Sequence, residues 1–155
     1  IAGGGDLEDE LRGQATALGI AERVRFEGAV TQPQVAEWLA AADVAVVPSV
    51  RDSAGNVDGL PNIVLEALVS GTPVVATPAG GIGTVAIDAE TALVVPERDV
   101  AALTGALEQL LADPDYGRAL GRSARDSVLR THDWSRVAEQ FEESYTRAST
   151  VPGSG

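Results

Sequence analysis

The sequence predicts an α/β protein: a mostly parallel sheet with helices on both faces, followed by a run of C-terminal helices. Three observations carry this. From Arg23 onward, short β-branched runs alternate with helical patterns, and Gly, Pro or Asp punctuates each junction. Single helices separate successive strands, so right-handed crossovers bring the strands into one parallel sheet. A chain of 155 residues that is 45% hydrophobic can also bury a full core, and one domain is the prior.

In chain order, Leu7, Leu11 and Leu18 share a helical face that stops at Gly19, and Val24 and Phe26 alternate in a short strand ending at Gly28. Thr31 and Gln34 form a capping-box pattern before a helix whose Val35, Trp38, Leu39 and Ala42 face inward. The run 43–48 reads as a strand buried on both faces. A polar loop from Ser49 to Gly59 leads to Pro61, suited to the first turn of a helix ending at Ser70-Gly71. Residues 72–77 form the next buried strand, a glycine-rich segment covers 79–83, and 91–96 is a last apolar run of strand length. Three helical segments follow, lined by Val100, Leu103, Leu107 and Leu110, then Tyr116, Leu120, Ala124 and Val128, then Val137, Phe141 and Tyr145. The domain spans 1–148, with 149–155 a flexible tail and no linker between.

Composition excludes several classes of function. The net charge of −12 repels phosphate backbones, so no nucleic-acid partner is expected. Cysteine is absent and His132 is the single histidine, which removes thiolate catalysis and leaves no metal cluster to expect. No apolar run approaches the roughly 20 residues that span a bilayer, and a cytoplasmic location is expected. All eleven cationic side chains are Arg, so a bound phosphate must be held by backbone amides, Arg, or groups outside this chain.

Ligands of parallel sheets bind at the carboxyl ends of the strands. The segments at those ends are 3–6, 28–31, 48–61 and 78–84, three of them rich in glycine, which lets backbone approach a ligand closely. Glu66 interrupts the apolar Ile63-Val64-Leu65 and Ala67-Leu68-Val69 in the helix that begins at the longest of these loops. Asn62, Glu66 and Ser70 at spacing four fit a solvated stripe. Alternatively, Glu66 faces the crevice and accepts hydrogen bonds from ribose hydroxyls, as acidic residues do in dinucleotide-binding sheets. Asp58 precedes it by eight residues, beside a helix start whose free amides and positive dipole end suit a diphosphate.

The continuous stretch Asp58-Gly59-Leu60-Pro61-Asn62-Ile63-Val64-Leu65-Glu66-Ala67-Leu68, with Gly71-Thr72-Pro73-Val74-Val75-Ala76-Thr77 and Gly80-Gly81, resembles the signature of family 4 retaining glycosyltransferases of the GT-B fold. Ala2 to Gly5, Val24 to Gly28, Ala42 to Val44, Pro48-Ser49, Leu93 to Pro96 and Asp133-Trp134 agree in order, so the resemblance covers nearly the whole chain. It implies the Rossmann-like, donor-binding half of that fold, acting on a nucleoside-diphosphate sugar with no further cofactor and passing a hexose to a hydroxyl acceptor. It assigns Glu66 to the ribose and Asp58, the catalytic candidate, to the diphosphate and donor sugar. The donor would also lie against Gly59, Leu60, Pro61 and Asn62, and against Gly3, Gly4, Gly28, Ala29 and Val30.

Three departures stand out. The family has a glutamate where Asp58 stands. Its glutamate shortly after the Gly-Gly pair is replaced by the run Ile82-Gly83-Thr84-Val85. The resemblance also begins inside the second strand, so the first strand and helix, the Arg and Lys that clamp the diphosphate, and the N-terminal acceptor domain are expected to be missing. A chain so truncated is expected to be inactive alone and prone to a domain-swapped dimer, with peripheral membrane contact only through the absent domain. Two rivals are a non-catalytic nucleotide- or protein-binding module and a nucleotide-sugar epimerase of similar architecture.

Overall fold

The computed structural model describes residues 1–57 and 59–131; Asp58, His132, Asp133-Trp134, the third C-terminal helix and the 149–155 tail lie outside the described residues. The backbone clusters into two compact units, residues 1–38 and residues from Leu39 onward, although composition marks no linker between them.

In the first unit α1 spans Glu8–Ala17, with Glu8, Asp9 and Glu10 in its first turn, where acidic side chains complement the helix dipole. Gly19 ends it at φ 67°, and its N–H donates to the Thr16 carbonyl at 2.9 Å. Ala15 is buried, whereas Leu7, Leu11 and Leu18, expected to share one face, are 63%, 39% and 65% exposed. The reason is that this unit holds no sheet for them to cover. The strand expected at Val24 to Phe26 is likewise absent. The Ile1 ammonium donates to the Arg25 carbonyl, Glu27 N–H to the Ile1 carbonyl and Gly3 N–H to the Gly28 carbonyl, which makes one isolated bridge rather than a ladder. One half of the capping box is seen: Gln34 Oε1 accepts from both Thr31 N–H and Thr31 Oγ1 ahead of α2, Gln32–Ala41. Trp38, expected inside, is more than a third exposed, whereas Leu39 is buried.

In the second unit β1 (Ala45–Val47), β2 (Val74–Ala76) and β3 (Leu93–Val94) form a parallel sheet in that order, with Ala45 opposite Val74 and Val75 opposite Leu93. The central strand β2 is buried at all three positions, as its unbroken apolar run predicts. Strand β1 departs from expectation: Val46 is 41% exposed, because β1 is the sheet's edge and pairs only with β2 among the described residues.

Helix α3, Asn62–Ser70, buries Val64, Ala67 and Leu68 completely and ends at Gly71, left-handed at φ 77°. Helices α4 (Val100–Ala112) and α5 (Pro114–Thr131) cover Val75, Leu93 and Val95 with Ala106, Leu110 and Leu120. The α4 start is capped by the Asp99 carboxylate on Ala102 N–H at 2.9 Å, and the Asp113 carboxylate accepts from Tyr116 N–H at 3.0 Å at the α5 start. Helix α5 crosses the end of α3 backbone to backbone: a β-carbon on Gly121 would stand 2.0 Å from the Gly71 carbonyl oxygen. Arg125 donates to the Val69 carbonyl beside that crossing. No described helix is long and apolar enough to cross a membrane.

Candidate functional site

Because β1, β2 and β3 run parallel, the loops that follow them leave the same edge of the sheet. Hydrogen bonds join these loops to one another. Thr77 N–H donates to the Val47 carbonyl at 3.3 Å, and Thr77 Oγ1 donates to the Ser49 carbonyl. Gly81 N–H donates to the Gly59 carbonyl at 2.6 Å, and Thr84 Oγ1 donates to the Gly81 carbonyl. Gly81 sits so close that an added β-carbon would stand 3.0 Å from Gly59 O and 3.1 Å from Leu60 Cβ. That contact is why a glycine stands here: the backbone leading into α3 lies against the glycine-rich turn.

This packing fixes the start of α3. Pro61 takes the cap position at φ −61°, ψ 129°, and the helix start carries no side-chain cap. The amides of Asn62 and Ile63 therefore belong to the set that an α-helix cannot bond internally, at the positive end of its dipole. Asn62 is exposed, and Leu60 and Pro61 are half-buried. Glu66 lies one turn along, on the side of α3 turned away from Val64 and Leu68, and is itself half-buried. The structure thus brings together Gly59, Leu60, Pro61, Asn62 and Glu66.

The remaining candidates belong to the first unit. Gly3, at φ 100°, and Gly28, at φ 62°, both occupy conformations that a side chain strains, and they pair directly through the Gly3 N–H to Gly28 carbonyl bond of 2.8 Å. Ala29 is exposed and Val30 half-buried. Gly3 and Gly4 line a cavity of about 260 Å³ together with Ile1, Leu7, Leu11 and Phe26. Arg12 lies over the Phe26 ring at 4.4 Å and pairs with Glu8 at 2.7 Å.

Sequence reasoning missed the internal order of the loop after β1. Asp52 organises it: its carboxylate accepts from Ala54 N–H at 2.8 Å, Asn56 N–H at 2.7 Å and Asn56 Nδ2 at 2.9 Å, while Asp52 N–H donates to the Asn56 carbonyl. An Asp two residues before Ala54 and three before Gly55 was the available signal for such a turn. The bond from the Asn56 amide side chain, followed by that from its backbone, holds the Asp52 carboxyl below its ordinary 3.8. A depressed folded pKa stabilises the loop above the ordinary value and loses that contribution as pH falls through the depressed one. The Ala54 and Asn56 amide resonances are therefore expected to titrate together in an NMR pH series with a midpoint below 3.8. A midpoint at or above that value would show that these bonds do not persist in solution.

Residues 1–113 match the family described as "Glycosyl transferases group 1". The GDP-mannose-dependent alpha-(1-6)-phosphatidylinositol monomannoside mannosyltransferase of Mycolicibacterium smegmatis is 38% identical over 144 residues, covering 90% of this chain and 38% of that protein. The D-inositol 3-phosphate glycosyltransferase of Thermomonospora curvata is 38% identical over 138 residues, covering 89% of this chain and 30% of that protein. Among solved structures, a sucrose-phosphate synthase from Thermosynechococcus elongatus superposes with a TM-score of 0.80 at 31% identity, over 95% of this chain and 37% of its own. The chain thus spans roughly a third of the length of these relatives.

Proposed function

From the premise that the chain belongs to the glycosyl transferases group 1 family, we propose that it binds a nucleoside-diphosphate sugar as the donor half of a retaining, family 4, GT-B enzyme. The observation that carries the reading is the start of α3. Its first amides have no side-chain cap, its approach is packed against Gly81, and a half-buried carboxylate follows one turn later. In this reading the diphosphate lies at the Asn62 and Ile63 amides and Glu66 accepts the ribose hydroxyls. The resemblance assigns Asp58 to the donor sugar.

The chemistry asked of these groups is positioning and stabilisation of the departing diphosphate, not nucleophilic attack. The residues assigned in this reading hold the donor and leave the acceptor hydroxyl unassigned, so the expected result for this chain is binding of the sugar nucleotide. Calorimetric titration with UDP, GDP, UDP-glucose and GDP-mannose tests this, and absence of heat with all four would overturn it. Asp58→Ala is expected to weaken the sugar nucleotide more than the bare nucleoside diphosphate, because Asp58 is assigned to the sugar end. Equal weakening of both ligands would remove that assignment.

A further inference from the structure

One residue of the loop after β1 is gripped on both sides of its backbone. Arg51 N–H donates to Glu97 Oε2 at 2.7 Å, and the Arg51 carbonyl accepts from Arg98 Nη2 at 2.6 Å. Glu97 and Arg98 are adjacent in the loop after β3, so two consecutive side chains hold the donor and the acceptor of a residue 46 and 47 positions away. Arg98 does this from φ 63°, a left-handed conformation that non-glycine residues rarely adopt. Asp99, which follows it, caps α4, so the start of that helix fixes the grip from its other side. The gripped loop is otherwise self-contained: Asp52 bonds Ala54 and Asn56, and the Arg51 guanidinium reaches the Gly55 carbonyl at 3.3 Å.

From this geometry we propose that Glu97 and Arg98 are positioning residues that set where the 49–57 loop delivers the chain into the start of α3. The proposal rests on the donor-site reading above. Neither side chain touches the donor in it; both act through the Arg51 backbone. Thr77 on Ser49 and Gly81 on Gly59 hold the two ends of the segment, while Glu97 and Arg98 hold its middle. Removing the middle hold leaves a stable compact turn free to swing between its two anchored ends, which displaces the residues that face the sugar.

Arg98→Gly separates positioning from folding. Glycine relieves the left-handed backbone strain, so the thermal midpoint of the full chain should be unchanged or raised. It also removes the guanidinium, so exchange of the Arg51 amide should quicken while the Asp52 and Asn56 amides inside the turn keep their rates, and UDP-glucose or GDP-mannose should bind about threefold to tenfold more weakly, the range for one or two exposed hydrogen bonds. Glu97→Gln keeps an acceptor oxygen and should bind near the unsubstituted level, whereas Glu97→Ala should match Arg98→Gly. Unsubstituted affinity in both Arg98→Gly and Glu97→Ala, in a chain that does bind the sugar nucleotide, would overturn the positioning role while leaving the donor site standing. Unchanged exchange of the Arg51 amide in both would overturn it whatever the ligand does. Failure of the unsubstituted chain to bind any nucleotide would overturn the donor-site reading itself and the proposal with it.

Discussion

Gly121→Ala is expected to destabilise the chain by about 3 kcal/mol and to lower its thermal midpoint by roughly 6–12 °C, at the few degrees per kcal/mol usual for a domain of this size. The cause is a backbone collision. The new β-carbon would meet the Gly71 carbonyl oxygen at 2.0 Å and its carbon at 2.8 Å. Neither atom is the far end of a flexible side chain. Gly71 closes α3 in the left-handed conformation, and Arg125 ties the neighbouring Val69 carbonyl to α5, so relief requires the two helices to separate. Separation opens the packing around Val64, Leu68 and Leu120, and the cost of that loss adds to the clash. Gly105→Ala supplies the contrast, because an added β-carbon there meets nothing within 4 Å and the residue lies inside α4. It should raise stability by roughly 0.5–1 kcal/mol through helix propensity. Thermal or denaturant unfolding followed by circular dichroism reads both, and equal effects of the two substitutions would refute the close helix crossing.

Glu66→Ala is expected to weaken binding of UDP or GDP by about 1.5–3 kcal/mol, the range for hydrogen bonds to a charged group, which is roughly tenfold to 150-fold in affinity. Glu66 lies away from the Val64 and Leu68 face, so its truncation opens no cavity around those side chains, and the unfolding midpoint is read alongside the affinity. That separation makes the test specific. A loss of affinity with stability retained supports a ribose contact. Retained affinity would instead return Glu66 to the solvated stripe it could form with Asn62 and Ser70.

Local pattern made much of this legible. The three parallel strands, the helix from Asn62 to the Gly71 stop, and the Thr31–Gln34 bonding ahead of α2 all follow from residue periodicity and short-range hydrogen-bonding chemistry. So does the shared edge of the loops after β1, β2 and β3, because parallel strands send their following loops the same way. The run of residues around Glu66 also pointed to the family that residues 1–113 match.

What tertiary structure alone decided concerns residues far apart in sequence. Periodicity said that Leu7, Leu11 and Leu18 share a helical face but not whether anything covers it, and the first unit offers no sheet to do so. It gave Val46 an apolar strand but not its position at the edge of the sheet. The glycines at 81 and 121 look alike in the sequence, and only packing distinguishes a contact with the α3 approach from a contact with the α3 terminus. The grip of Glu97 and Arg98 on Arg51 had no sequence signal at all. Backbone groups carry no residue identity, so a side chain that recognises them leaves no trace in its partner's sequence, and the pairing emerges only once the parallel sheet has brought the two loops to one edge.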